Sequence, residues 1–301
     1  MIDFKTVELS DKQWMDPLYK IADLPGCQHN FTNIYAWSGI YENQIAQING
    51  YIIVKAGDKE AKRYFYPAGH GDIKPVLDAM LQDAQDCGHE FVLAALSERN
   101  RAELDALYPG EFSYEDNPDY YDYVYRLEKL VTLSGQKLQP KRNLINQFKR
   151  KYSEWSIEDI TEENLDECWV MNKQWCIIHD CKNDAVLLNE RYAVQRCLKN
   201  FAGLNLEGAL LRVNDRVVAF TLGEILNSDT YVTHVEKAFF DFTGAYQMIN
   251  REFAVIVKAR HPQVLYVNRE EDMGHDGMRK AKRSYYPERM EVKYIAKLKN
   301  S

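Results

Sequence analysis

The chain has 301 residues, 46% of them hydrophobic, and a formal charge of −7 at neutral pH. That is apolar material for one large or two medium cores, and two domains are expected. No run of about 18 apolar residues occurs, and the start lacks a basic-then-apolar signal pattern, so a cytoplasmic chain without stable membrane insertion is expected. The six cysteines (Cys27, Cys87, Cys168, Cys176, Cys181 and Cys197) contain no Cys-x-x-Cys pair. Neither a zinc knuckle nor a disulfide framework is signalled, and they read as small core residues.

The charge is unevenly placed. Residues 1–130 carry 12 Lys and Arg against 22 Asp and Glu, whereas 131–301 carry 26 against 23. Positions 129–153 hold seven basic residues and no acid. A general nucleic-acid binder is excluded by the acidic balance, but a local docking surface for phosphates is not.

In chain order, residues 16–36 read as helices broken at Pro25-Gly26, and 45–55 as a hairpin turning on Asn49-Gly50. Residues 75–87 place Val76, Leu77, Met80, Leu81 and Ala84 on one helical face. A buried strand at 91–96, a helix at 99–107 and an alternating strand at 121–127 complete the first half. In the second half, Pro140 opens a basic helix over 141–155, with Leu144, Ile145 and Phe148 on its apolar side. Helices follow at 165–179 and 189–201, then a hairpin of 208–213 and 216–224 around Asn214-Asp215. A strand at 230–237, a helix led by Gly244 (245–258) and a last strand from Val264 end the series. The order is α+β, divided near residue 130 into domains 1–130 and 131–301.

Residues 133–148, 242–250 and 268–287, together with Asn30-Phe31-Thr32-Asn33-Ile34-Tyr35-Ala36-Trp37, resemble the family of the phosphatidylglycerol lysyltransferase C-terminal domain. Four blocks in order cover nearly the whole chain. The resemblance implies two tandem GNAT-like domains, each a mixed, largely antiparallel sheet flanked by helices, related to Fem-type aminoacyl transferases. It also implies an acyl- or aminoacyl-transfer site in the second domain. Coenzyme A thioester or aminoacyl-tRNA is the implied co-substrate, with no tightly bound cofactor, and a small molecule or lipid headgroup is the acceptor.

Within that frame, Lys141 and Arg142, with Asn143 beside them, are candidates for holding carrier phosphates, the bland alternative being a solvated helix face. Thr243, Gly244 and Ala245 stand where a helix N-terminus can offer free N–H groups to a pyrophosphate, although a single glycine is equally a turn residue. His234 and Glu236 alternate on one face of a strand and are candidate acid–base groups. Glu270 and Asp272 follow a strand's end, beside Arg279 and Lys282, which would keep carboxylates ionised and attract an anion. A salt-bridged loop is the competing reading for that segment. Asp272, His275 and Asp276 match no metal-site spacing, so no metal is expected. The alternative to an enzyme is a catalytically inactive GNAT-like module that binds a phosphorylated ligand.

Overall fold

A computed structural model of the chain describes residues 1–57 and 61–299. Strand β1 (Lys5–Thr6) leads into helices α1 (Lys12–Ala22) and α2 (Phe31–Tyr41). The Asn30 side chain starts α2 by accepting from the Asn33 N–H. Strands β2 (Gln44–Ile48) and β3 (Tyr51–Ala56) form the hairpin read from Asn49-Gly50, whose φ angles of 48° and 81° give a tight two-residue turn. Next come β4 (Arg63–Phe65), β5 (Ala68–Gly69), α3 (Lys74–Cys87), β6 (Val92–Leu96), α4 (Glu98–Leu107) and β7 (Phe112–Asp116).

The chain continues through β8 (Asp122–Arg126), α5 (Leu127–Thr132), α6 (Gln139–Lys151) and β9 (Trp155–Asp159). The basic helix therefore stops short of Trp155. Tyr152 turns extended at φ −120°, and the next residues pair with a strand, so sheet pairing overrides the helical pattern. Helices α7 (Leu165–Ile178) and α8 (Ala185–Lys199) precede the hairpin β10 (Glu207–Val213) and β11 (Arg216–Ile225). Then follow β12 (Thr230–Ala238), α9 (Ala245–Arg260), β13 (Tyr266–Asn268), α10 (Asp276–Arg283), β14 (Arg289–Glu291) and β15 (Tyr294–Leu298).

The contacts divide the chain into two compact units. Unit 1 is residues 1–122, 271–279 and 290–301; unit 2 is 123–270 and 280–289. A single boundary at residue 130 misses this interleaving. Strand β8 forms its ladder with β13, and β15 fills the gap between β6 and β7. Backbone pairing, which must be satisfied wherever a strand is buried, decides membership over chain proximity. Unit 1 has a sheet of order β1-β2-β3-β4-β6-β15-β7, with β5 beside β3. Its core joins Tyr64, Leu93 and Ala296 of the sheet to Val76, Leu77 and Met80 of α3 and Leu104 of α4. Unit 2 has the order β14-β8-β13-β12-β11-β10-β9. Helix α9 packs on its three central strands and buries Met248, Ile249, Phe253 and Val257. None of the described helices is long and apolar enough to cross a membrane.

Candidate functional site

Strand β12 sends His234 and Glu236 to one face, while Val235 and Lys237 face the other, where Lys237 Nζ lies over the Trp175 ring and meets Glu190. The β11–β12 ladder shifts register at Leu222/Gly223, pairing Leu222 with Val235 and Gly223 with Thr233, so His234 is the bulged residue. Gly223 is required there: a Cβ would lie 2.2 Å from the Val232 carbonyl oxygen. Bulges re-aim a side chain, and this one sets the His234 ring between two carboxylates. Nδ1 lies 2.8 Å from Glu270 Oε1 and Nε2 3.2 Å from Glu224 Oε1. Burial works against the charged ring, but the hydrogen bonds to Glu224 and Glu270 outweigh it and push its pKa up to about 9. At neutral pH His234 is a fixed cation donating from both nitrogens.

Two residues along, Glu236 Oε1 accepts from Arg269 Nη2 at 2.8 Å and Oε2 from Asn250 Nδ2 at 2.9 Å. The guanidinium lies over the Tyr125 and Tyr285 rings, at 5.6 and 5.2 Å from their centroids. Lys141 reaches the same neighbourhood from α6. Its Nζ donates to Ser284 Oγ at 2.6 Å and sits 4.3 Å over the Tyr285 ring. Burial, then the positive Arg269, lowers its pKa. Glu270 has a left-handed φ of 55° and is held there by its N–H to Asn268 Oδ1 and by Lys282, which donates to the Arg269 and Glu270 carbonyls at 2.6 and 3.2 Å. Unit 2 thus gathers His234, Glu236, Glu270, Lys141 and Lys282. It adds Glu224, Asn250 and Arg269, which no local spacing singles out because each comes from a different element.

Other candidates stand elsewhere or are already engaged. Arg142 donates to the carbonyls of Leu133 and Gly135 and to Gln139, closing the turn before α6, and Asn143 accepts from Gln139 Nε2. At α9, Thr243 is exposed while Gly244 and Ala245 are buried. The Ala245 N–H is spent on the Phe242 carbonyl at 2.9 Å. Gly244 has φ 92°, and a Cβ on it would stand 2.5 Å from the Leu144 carbonyl of α6. Close helix packing, not an open cradle, accounts for that glycine.

Asp272 and Arg279 belong to unit 1. Asp272 is fully buried and bound through both oxygens, Oδ2 to Arg279 Nε at 3.0 Å and Oδ1 to Nη2 at 2.8 Å, with the Gly274 N–H also on Oδ1. Arg279 further grips Asp119. This geometry corresponds to the salt-bridged loop. His275 and Asp276 are exposed. Among the described residues, the close group of thiol and carboxylates is Cys27, Asp122 and Glu271, also in unit 1, with the Lys293 ammonium among them.

Residues 19–297 match the model of the family described as phosphatidylglycerol lysyltransferase, C-terminal. The chain belongs to that family. Its fold closely matches a conserved protein of unknown function from Bacteroides thetaiotaomicron (TM-score 0.94, 38% identity, 99% of this chain and 100% of that one). It also matches the C-terminal domain of a putative lysylphosphatidylglycerol synthetase from Agrobacterium fabrum (TM-score 0.69, 12% identity, 97% and 92%). FemX shares the architecture at TM-score 0.56 and 10% identity over 99% and 98% of the two chains. At these low identities the last two establish the fold alone: α+β, with tandem GNAT-like domains. An uncharacterized protein of Mycoplasmoides gallisepticum is 27% identical over 184 residues, and the match spans 56% of that protein's length.

Proposed function

We propose that this member of the phosphatidylglycerol lysyltransferase C-terminal family transfers an acyl group, in the first instance an aminoacyl group, from a phosphorylated carrier to an amine or hydroxyl. The carrier is an aminoacyl-tRNA or a coenzyme A thioester, and the acceptor a small molecule or a lipid headgroup. The observation that supports this reading is the buried polar set of unit 2, in which Glu236 is fixed by Arg269 and Asn250 beside the His234 imidazolium and its two carboxylates. Such a set can orient a nucleophile and oppose developing charge without reorganising. In the reaction the acceptor N–H or O–H attacks the acyl carbon and the new C–N or C–O bond forms. The C–O or C–S bond to the carrier then breaks, and the proton leaves with the carrier's oxygen or sulfur. No covalent enzyme intermediate is needed.

Of the cations read as carrier contacts, Arg142, Arg279 and Lys282 hold the protein's own groups. Arg150 and Lys151, exposed at the end of α6, are the proposed points of contact with phosphate. The test supplies labelled aminoacyl-tRNA and acyl-CoA to the full chain with amine, hydroxyl and phosphatidylglycerol-vesicle acceptors. Transfer should fall by about 10²-fold in Glu236→Gln, the scale for a positioned polar group, with circular dichroism preserved. Transfer from neither carrier, or an undiminished variant, would sink the proposal.

A further inference from the structure

Two buried polar atoms around Glu236 have no partner, and they are of opposite kind. Asn250 is 6% exposed and turns Nδ2 to Glu236 Oε2 at 2.9 Å. A carboxylate only accepts, so the amide nitrogen must face it and Oδ1 must face away. That Oδ1 is buried and accepts nothing. Arg269 uses Nη2 on the other carboxylate oxygen, and its Nη1 is buried and donates to nothing. The guanidinium cannot easily turn to satisfy Nη1, because Nη2 is anchored on Glu236 and the Tyr125 and Tyr285 rings cover it. One carboxylate is therefore flanked by a spare acceptor and a spare donor. Buried polar atoms are nearly always satisfied, so the pair points to a ligand carrying an N–H donor next to a carbonyl.

We infer that Asn250 and Arg269 select a free α-amino acyl group, Asn250 Oδ1 accepting from the α-ammonium beside Glu236 and Arg269 Nη1 donating to the acyl carbonyl. The inference rests on the transfer reading and names the part of the transferred group that these side chains recognise. It has a consequence that the reading alone lacks: amino acids blocked on the α-nitrogen are rejected. Acylation there removes the positive charge and two of three N–H donors, and it brings bulk against a buried amide. A site built to hydrogen-bond a group discriminates strongly against the analogue lacking it.

Calorimetric titration of the full chain with L-lysinamide and with Nα-acetyl-L-lysinamide reads this without turnover. The native chain should bind the free amide at least about 10-fold more tightly. In Asn250→Leu, close in shape, the two affinities should come within about 3-fold of each other. Equal binding of the two amides by the native chain, or no binding of lysinamide, overturns the inference. So does an Asn250→Leu chain that keeps the preference, or Asn250→Ser if circular dichroism shows the leucine variant unfolded. The transfer reading fails separately. A chain that distinguishes the amides but moves no acyl group keeps this inference and loses that one, and a chain that transfers while binding both amides alike does the reverse.

Discussion

Asp272 shows how one side chain's role turns on what its charge touches. A carboxylate followed by Gly274 and Gly277 and a basic turn has the sequence of a closing catalytic loop. Folded, both its oxygens are occupied by Arg279 and the Gly274 N–H, at no exposure to solvent. Asp272→Asn should lower stability by about 1.5–3 kcal/mol, the range for a hydrogen bond to a charged group, and leave transfer per folded molecule intact. Urea unfolding alongside a transfer assay checks this; near-native stability with lost turnover would return Asp272 to the site. His234 carries the opposite sign of argument. Its folded pKa of about 9 lies above its unfolded value, because Glu224 and Glu270 overcome the cost of burial. The stabilisation is complete below about pH 6.5 and is lost as pH rises through about 9, with an upper bound of about 3 kcal/mol. The difference in melting temperature between the native chain and His234→Gln should therefore shrink from pH 6 to about pH 10. A gap independent of pH would mean that the ring is neutral.

Helices α6 and α9 meet where Gly244 lets the Leu144 carbonyl approach. An added methyl must push α6 away and also accept a φ of 92°, so Gly244→Ala should cost about 1–3 kcal/mol. If the glycine serves only packing, carrier affinity per folded molecule stays unchanged; a loss of affinity at full stability would revive the phosphate cradle. The elements themselves were largely legible in the sequence. Asn49-Gly50 and Asn214-Asp215 fix two hairpins by turn chemistry alone, and Pro75 with the spacing of Val76, Leu77 and Met80 fixes α3. Strands β9 and β15 were not. Trp155 follows a helix without a breaking residue, and Tyr294 finds its partners about 180 to 200 positions back in the chain. In the site, His234 and Glu236 were visible because period two is a local property. Glu224, Asn250 and Arg269 were not, since a bulge, a helix face and a strand end bring them in.

At the scale of the whole molecule, unit 1 is assembled from three separated stretches of chain. All three meet in one buried group. Cys27 and Asp122 come from the first stretch, Glu271 from the second and Lys293 from the third. Lys293 Nζ contacts Asp122 Oδ1, lies 3.0 Å from Glu271 Oε2 and 3.4 Å from Cys27 Sγ, and is 7% exposed. Burial alone would neutralise the amine, but Asp122, Cys27 and Glu271 hold its pKa well above the usual lysine range, and Lys293 in turn keeps Glu271 below the usual carboxylate range. A buried ion pair replaced as a whole by apolar groups is often no loss, whereas removal of one partner strands the others in low dielectric. Lys293→Met takes away the one cation and leaves two carboxylates facing each other. It should cost about 3–5 kcal/mol, and the cost should fall on unit 1. The strand just beyond, β15, lies between β6 and β7, so loosening its start exposes the ladder of all three. Hydrogen exchange resolved by segment reads this directly. In the variant, amides of 92–96, 112–116 and 294–298 should exchange faster, while those of β10, β11 and β12 keep their protection. Equal loss in both units would mean that the two share one cooperative transition, and unchanged protection at 294–298 would show that the Lys293 group does not hold the three stretches together.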